Sequence, residues 1–305
     1  MAFPDSLVGI IPNDKIDVDW LYYIMQFNKT VLDSLAPENA QKNINLEILR
    51  TFALEVSPLP EQIQIAAILS TWDDSLATLA KLIDTKREQK RALAEQLLTG
   101  KRRLKEFKEE WIETRLGEHI FEVSSRNKGS KTSRVLSVTN HSGFVLPEEQ
   151  FSKRVASENI SNYKIVLNGQ FAYNPSRLNV GSLARLDKFE DGIVSPLYVV
   201  FDVKNSISSN YLLYWLDSPV AENRIKAGIQ GSVRDSVSFD ALSSFKIKVP
   251  PVMEQQAIAS VLSALDTEIA LLTRQQAKVQ EQKRGLMDLL LTGKVRVQVP
   301  EEVPA

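Results

Sequence analysis

The hydrophobic residues of this chain follow two patterns, and the longer one is written twice. Leu69, Trp72, Leu76, Leu79, Ile83, Lys86, Lys90, Leu93 and Leu97 fall at alternating steps of three and four, and so do Leu262, Leu265, Ile269, Leu272, Gln276, Val279, Lys283, Leu286 and Leu290. That spacing keeps one helix face apolar and predicts two long helices sharing a coiled-coil seam with a polar middle. Lys or Gln inside a seam weakens the pair but disfavours slipped registers. The alternative is two separate amphipathic helices, each packed on its own domain. Both seams turn polar at the same place, which favours mutual pairing.

The helix ends repeat as well. Pro58-Leu-Pro-Glu-Gln closes on Leu97-Leu-Thr-Gly-Lys101, and Pro251-Val-Met-Glu-Gln closes on Leu290-Leu-Thr-Gly-Lys294, at a constant offset of 193 residues. Proline outside or at the first helical positions loses no hydrogen bond. Glu61 and Glu254 complement the positive end of the helix dipole, and Gly100 and Gly293 are placed as C-terminal caps. Glu61 to Thr99 is 39 residues, about 58 Å at about 1.5 Å per residue. An interval of 193 residues is too long for a solenoid, so a whole module is duplicated. The predicted helices read as a spacer.

The second pattern is short and strand-like. Arg134 to Thr139, Gly143 to Leu146, Gln170 to Tyr173, Gly181 to Leu186 and Ile193 to Val203 are punctuated by Gly and Asn. Tyr211 to Leu216 opens a helix, and a Gly-flanked loop, Gly228 to Asp235, follows it. Phe3 to Ile11 reads as the tail of a strand and Trp20 to Phe27 as a short helix after Asp17 and Asp19. Leu49, Phe52 and Val56 match Leu242, Phe245 and Val249 at the same offset, whereas residues 111–191 have no earlier counterpart. The expected fold class is α+β. Expected boundaries are 1–57, the end of a first domain; 58–110, a spacer helix; 111–250, a complete second domain; and 251–305, a second helix and tail.

Composition narrows the function. The 305 residues are 43 % hydrophobic, carry no cysteine and have a net charge of −1. There is no disulfide framework and no thiolate site, which fits a reducing cytoplasm. No signal peptide is expected at the N-terminus, and no apolar run approaching membrane length. Charge is local: eight Lys or Arg lie between Lys86 and Lys105 against Glu88 and Glu95, and Arg126, Lys128, Lys131 and Arg134 crowd a stretch without acids. Such runs can equally be solvated surface.

Catalytic signatures fail. There is no phosphate-binding glycine loop, no Ser/His/Asp order, and His119 and His141 have no metal-ligand partners at suitable spacing. Asn174-Pro-Ser-Arg177 resembles the base-flipping loop of adenine methyltransferases, but Ser176 and Arg177 replace its second proline and its stacking aromatic. No catalytic residue and no metal site are expected. Recognition suits these residues better. Arg pairs with guanine and Asn with adenine in the major groove. Asn174, Ser176, Arg177 and Asn179 form one polar cluster, Gln230, Ser232 and Arg234 a second, and Lys128 and Lys131 suit phosphate anchors. Taken singly, each is also an ordinary polar turn residue.

The repeated helix ends, with Trp111 and Leu116-Gly-Glu118 at a domain start and Tyr173-Asn-Pro-Ser-Arg177 with Val180-Gly-Ser182, resemble the specificity subunit of type I restriction-modification systems over essentially the whole chain. The resemblance implies target-recognition domains separated by two long antiparallel coiled-coil helices. It also implies a non-catalytic subunit that binds double-stranded DNA and docks two methyltransferase subunits, which restriction subunits can join. S-adenosylmethionine would belong to the methyltransferase partner, with no cofactor in this chain. The first recognition domain departs from the family by lacking a front, and only Asn39, Gln41 and Lys42 correspond to its second loop. Three readings stay open: a truncated or cassette-type product, a protein completed by a second chain, or a reader of one half-site. A different class, a helical assembly scaffold without specific DNA binding, is favoured by the near-neutral charge.

Overall fold

The computed structural model describes residues 8–35, 44, 46–129, 131–140, 142–147, 159–230 and 236–299. It comprises two compact units, residues 1–86 with 268–305, and residues 87–267. Two 40-residue helices, α4 (Leu59–Leu98) and α8 (Val252–Leu291), each contribute to both. Gly100 and Gly293 follow them with φ of +71° and +69°, the left-handed C-cap that glycine adopts without a Cβ penalty. The stripe positions are the less exposed ones. Leu69 and Leu262 are buried, and Trp72, Leu76, Leu79, Leu265, Ile269 and Leu272 are half-buried.

In the first unit, α1 (Val18–Phe27), α2 (Lys29–Leu35) and α3 (Leu46–Thr51) accompany the outer parts of α4 and α8. Asp17 caps α1 by accepting a hydrogen bond from the Trp20 N–H at 2.8 Å. Trp20, Tyr23 and Ile24 then pack on Ile65, Ala66 and Leu69 of α4 and on Met287, Leu290 and Leu291 of α8. Lys86 pairs with Glu268 at 2.7 Å and Asp73 with Lys283 at 2.5 Å, so the two helix segments run antiparallel. Residues 8–13 form no strand, and residues 3–7 of the expected strand tail lie outside the described residues.

The second unit has two packed layers of apolar residues. A four-stranded antiparallel sheet orders β2 (Ile120–Glu122), β9 (Val199–Val203), β6 (Phe171–Tyr173) and β7 (Leu183–Arg185). Phe171, Tyr173 and Phe201 face α5 (Ser209–Leu216), α6 (Pro219–Gln230), α7 (Phe239–Ser243) and the ends of the long helices, including Leu97 and Leu262. Ala172, Ala184 and Val200 face the other way, onto the β3 (Ser137–Thr139)–β4 (Gly143–Val145) hairpin and the β5 (Lys164–Leu167)–β8 (Asp191–Val194) pair. Here the alternation of period two decides which side chain joins which layer. β1 (Ile112–Arg115) pairs with β10 (Lys246–Val249), Ile112 opposite Val249.

Three expectations are corrected. Ile193 to Val203 is not one strand: Pro196 has no N–H for a ladder, and a turn separates β8 from β9. Gly228 does not open a loop but lies inside α6, which runs on to Gln230, and Phe245 is packed 3.4 Å from its absent Cβ. By length and composition α8 is apolar enough to cross a membrane, its best window reaching a mean hydropathy of 1.2. Its Asp266 and Lys283 nevertheless form ion pairs with α4 in their respective units, as a helix packed on a helix does.

Each unit fastens its globular part to the long helices by the same contacts. Gln62 accepts from the Asp17 N–H and donates to the Lys15 and Ser57 carbonyls; Gln255 accepts from the Ser208 N–H and donates to the Ser206 and Pro250 carbonyls. The Tyr23 hydroxyl donates to Asp73 at 2.7 Å, and that of Tyr214 to Asp266 at 2.8 Å. Lys283 lies over the Tyr23 ring and Lys90 over the Tyr214 ring. Burial and the Asp266 carboxylate push the pKa of the Tyr214 phenol up to about 12.

Candidate nucleic-acid interface

Of the polar residues singled out in the sequence, Arg126, Lys128, Lys131, Arg134, Asn174, Ser176, Arg177 and Asn179 lie on two separate turns of the second unit. The first is the excursion from Arg126, bridged to Lys164 beside β5, to Val135, bridged to Ile193 of β8. Asn127 is fully buried and closes it: its amide donates to the Thr132 carbonyl at 2.9 Å and accepts from the Thr132 N–H at 3.2 Å. Gly129, at φ +80°, turns the tip. Two of the four cations are occupied within the domain. Arg126 donates to the Asn162 carbonyl at 2.6 Å, and Arg134 pairs with Asp191 at 3.1 Å and lies over the Phe189 ring. Lys128 and Lys131 are exposed and make no ion pair among the described residues.

The second turn is a 3₁₀ segment, Pro175–Val180, between β6 and β7. Asn174 caps it, its side chain accepting from the Ser176 N–H at 3.1 Å, and Pro175 supplies a pre-set φ at the first position. Asn174 is therefore half-occupied as a cap, whereas Ser176, Arg177 and Asn179 are exposed. Beneath them Tyr173 is fully buried with no described partner for its hydroxyl, and burial raises its pKa.

After the second cluster the chain returns to this turn. The Val237 N–H donates to the Pro175 carbonyl at 3.1 Å, which anchors the backbone beyond that cluster against the Asn174–Arg177 turn. Ser232 and Arg234 lie outside the described residues, as do Asn39, Gln41, Lys42 and His141, and the side chain of Gln230 is not described. No described contact joins the Lys128–Lys131 tip to Arg177. They stand on different ladders.

Sequence reasoning missed the cleft beside Arg177. It measures about 250 Å³ and is lined by Ser137, Val138, Thr139, Asn140, Arg177, Val180, Ser182 and Tyr198. Its walls come from three separate stretches of the chain, 137–140, 177–182 and Tyr198, so no local motif could announce it. Elsewhere, His119 accepts from or donates to Ser206 Oγ at 2.8 Å, and burial lowers its pKa. Among the described residues no group of three His, Cys, Asp or Glu could hold a metal ion.

Comparison with known proteins gives this arrangement its family. The family model of the type I restriction modification DNA specificity domain matches residues 2–85 and 108–281, and the chain belongs to that family, the specificity subunits of type I restriction-modification systems. Over 96 % of this chain and 72 % of the relative, it is 26 % identical to a Methanocaldococcus jannaschii protein named as the MjaX type I restriction enzyme specificity subunit. The MjaVIII specificity subunit of the same organism is 25 % identical over 96 % of this chain and 74 % of the relative. Among solved structures, the type I restriction-modification S subunit from M. genitalium superposes with a TM-score of 0.55 at 17 % identity, over 90 % of this chain and 73 % of that one.

Proposed function

We propose that this chain is the non-catalytic DNA-reading scaffold of a cytoplasmic restriction-modification complex. Residues 111–250 read one DNA half-site, with Arg177, Ser176 and Asn179 toward base edges and Lys128 and Lys131 toward phosphates. The paired long helices set half-site spacing and dock two methyltransferase subunits, which hold S-adenosylmethionine; restriction subunits join that assembly. Residues 1–57 contribute to the other half-site, alone or together with a second chain.

The observation that carries this reading is the set of exposed cations without described partners, Lys128, Lys131 and Arg177, held on turns whose backbones are secured by other residues. Phosphate contacts release counterions, so binding of the full chain to duplex DNA should weaken steeply as salt rises, with a log–log slope of about −0.9 per phosphate contacted. The net charge of −1 favours a second reading, an assembly scaffold that binds protein alone. Salt-independent or undetectable DNA binding, alongside co-purification with a methyltransferase subunit, would favour that scaffold.

A further inference from the structure

Arg177 shares its cleft with a second polar side chain, Asn140. Asn140 follows β3 at the tip of the β3–β4 hairpin, is exposed, and makes no hydrogen bond among the described residues. Its neighbour Thr139 is already committed, donating to the Gly143 carbonyl at 3.2 Å and accepting from the Ser142 N–H at 3.0 Å to close the hairpin turn. Asn140 is therefore exposed beside this turn, its amide uncommitted among the described residues.

The hairpin and the 3₁₀ turn are locked together. Ser182, 5 % exposed, donates its hydroxyl to the Val138 carbonyl at 3.1 Å, and the Val138 N–H reaches the Tyr198 hydroxyl at 3.5 Å. Gly181 adopts φ +83°, and a Cβ built there would sit 3.1 Å from the Asn140 Cβ. The left-handed backbone and this tight approach both favour glycine at position 181. The backbones that carry Arg177 and Asn140 are thus held together by the fold before any ligand arrives, which is what precise readout needs.

We propose that Asn140 and Arg177 read neighbouring base pairs as a unit, Arg177 a guanine and Asn140 an adenine. The chemistry is direct. A two-stranded β-ribbon fits the major groove, an arginine fork matches guanine O6 and N7, and a carboxamide matches adenine N6 and N7. The cleft of about 250 Å³ is far too small for a duplex, but it admits base edges that enter between the two side chains.

This inference rests on the DNA-reading function proposed above, and one experiment separates the two. The full chain, Asn140→Ala and Arg177→Ala are each used to select from a randomised duplex library, and the bound DNA is sequenced, with helicity checked by circular dichroism. The expected result is that Asn140→Ala flattens an adenine preference by about 10- to 100-fold at one position, adjacent to the guanine position flattened by Arg177→Ala. If Asn140→Ala leaves every preference intact, or weakens all sequences alike while Arg177→Ala still changes one position, the paired reader is wrong and DNA reading stands. A wild-type chain that selects no sequence overturns both. Gly181→Ala keeps both reading side chains but spoils their spacing, and should blur both positions together; sharp, unchanged preferences would count against the locked geometry.

Discussion

Arg296 grips Glu61 at two points, Nε at 2.7 Å and Nη2 at 2.6 Å from the carboxylate oxygens, and Arg103 grips Glu254 in the same way at 2.9 and 2.6 Å. Both glutamates are buried in the first turn of a long helix, and each arginine follows the end of the other long helix. The Trp111 indole N–H adds a third donor to Glu254 at 3.0 Å. Acidic residues in a first helical turn are ordinarily solvated partners of the helix dipole. Here they are bidentate anchors, the geometry for which arginine is suited and lysine is not.

The latch predicts a pH dependence. Hydrogen bonds from Arg296 hold the Glu61 carboxyl below its ordinary value of 4.5, against the opposing effect of burial. A depressed folded-state pKa stabilises the protein above the unfolded value, and that stability is lost as pH falls through the folded one. Thermal melts should therefore lose several degrees as pH drops below about 4.5. Arg296→Ala should melt lower at neutral pH and lose less on acidification; parallel pH curves for the two proteins would refute the latch.

Lys283 and Lys90 occupy matching places but different depths, with side-chain exposures of 6 % and 22 %. Removing the acid strands the deeper cation. Asp73→Ala should cost about 3 kcal/mol, because it leaves a buried ammonium unpaired and the Tyr23 hydroxyl without its acceptor. Asp266→Ala should cost less. Chemical denaturation of both variants checks the order.

Leu76→Ala with Ile269→Ala removes two half-buried side chains from the stripe in the first unit. Each should cost about 1–2 kcal/mol, below the range for fully buried truncations. A Tm unchanged from wild type would mean that the stripe is not a packed seam.

On DNA, the two kinds of exposed cation should separate. Lys128→Ala with Lys131→Ala should weaken binding to all sequences alike and reduce the salt slope by about 1 for each phosphate that is no longer neutralised. Arg177→Ala should cost about 1–3 kcal/mol on the preferred sequence only. Filter-binding titrations at several salt concentrations, on preferred and scrambled duplexes, distinguish them.

The long helices were legible because a seam of period 3.5 must repeat for many turns, and the positions from Leu69 to Leu97 and from Leu262 to Leu290 that it picks out are the less exposed ones. Gly100 and Gly293 marked the ends for the same local reason. Pairings between distant residues left weaker traces. The identity of Glu61 with Glu254 and of Arg103 with Arg296 at one offset was the available signal for the latch, yet charge runs around Arg103 read as solvated surface. Pro196 announced the break between β8 and β9, but the β-branched residues on either side disguised it. Asn140 sat in a turn without any pattern, because its significance depends on Gly181 and Ser182 arriving from another hairpin.

The buried Asn127 has a consequence for evolution. Its amide fastens the turn through the backbone of Thr132 and Gly129 turns the tip, so the exposed side chains of Lys128 and Lys131 make no described contact that holds it. Asn174 and Ser182 do the same for the neighbourhood of Arg177. Mutations at Lys128, Lys131 or Arg177 are thereby insulated from folding, and under the proposed function a lineage can drift to new DNA targets without first acquiring compensating changes in its core.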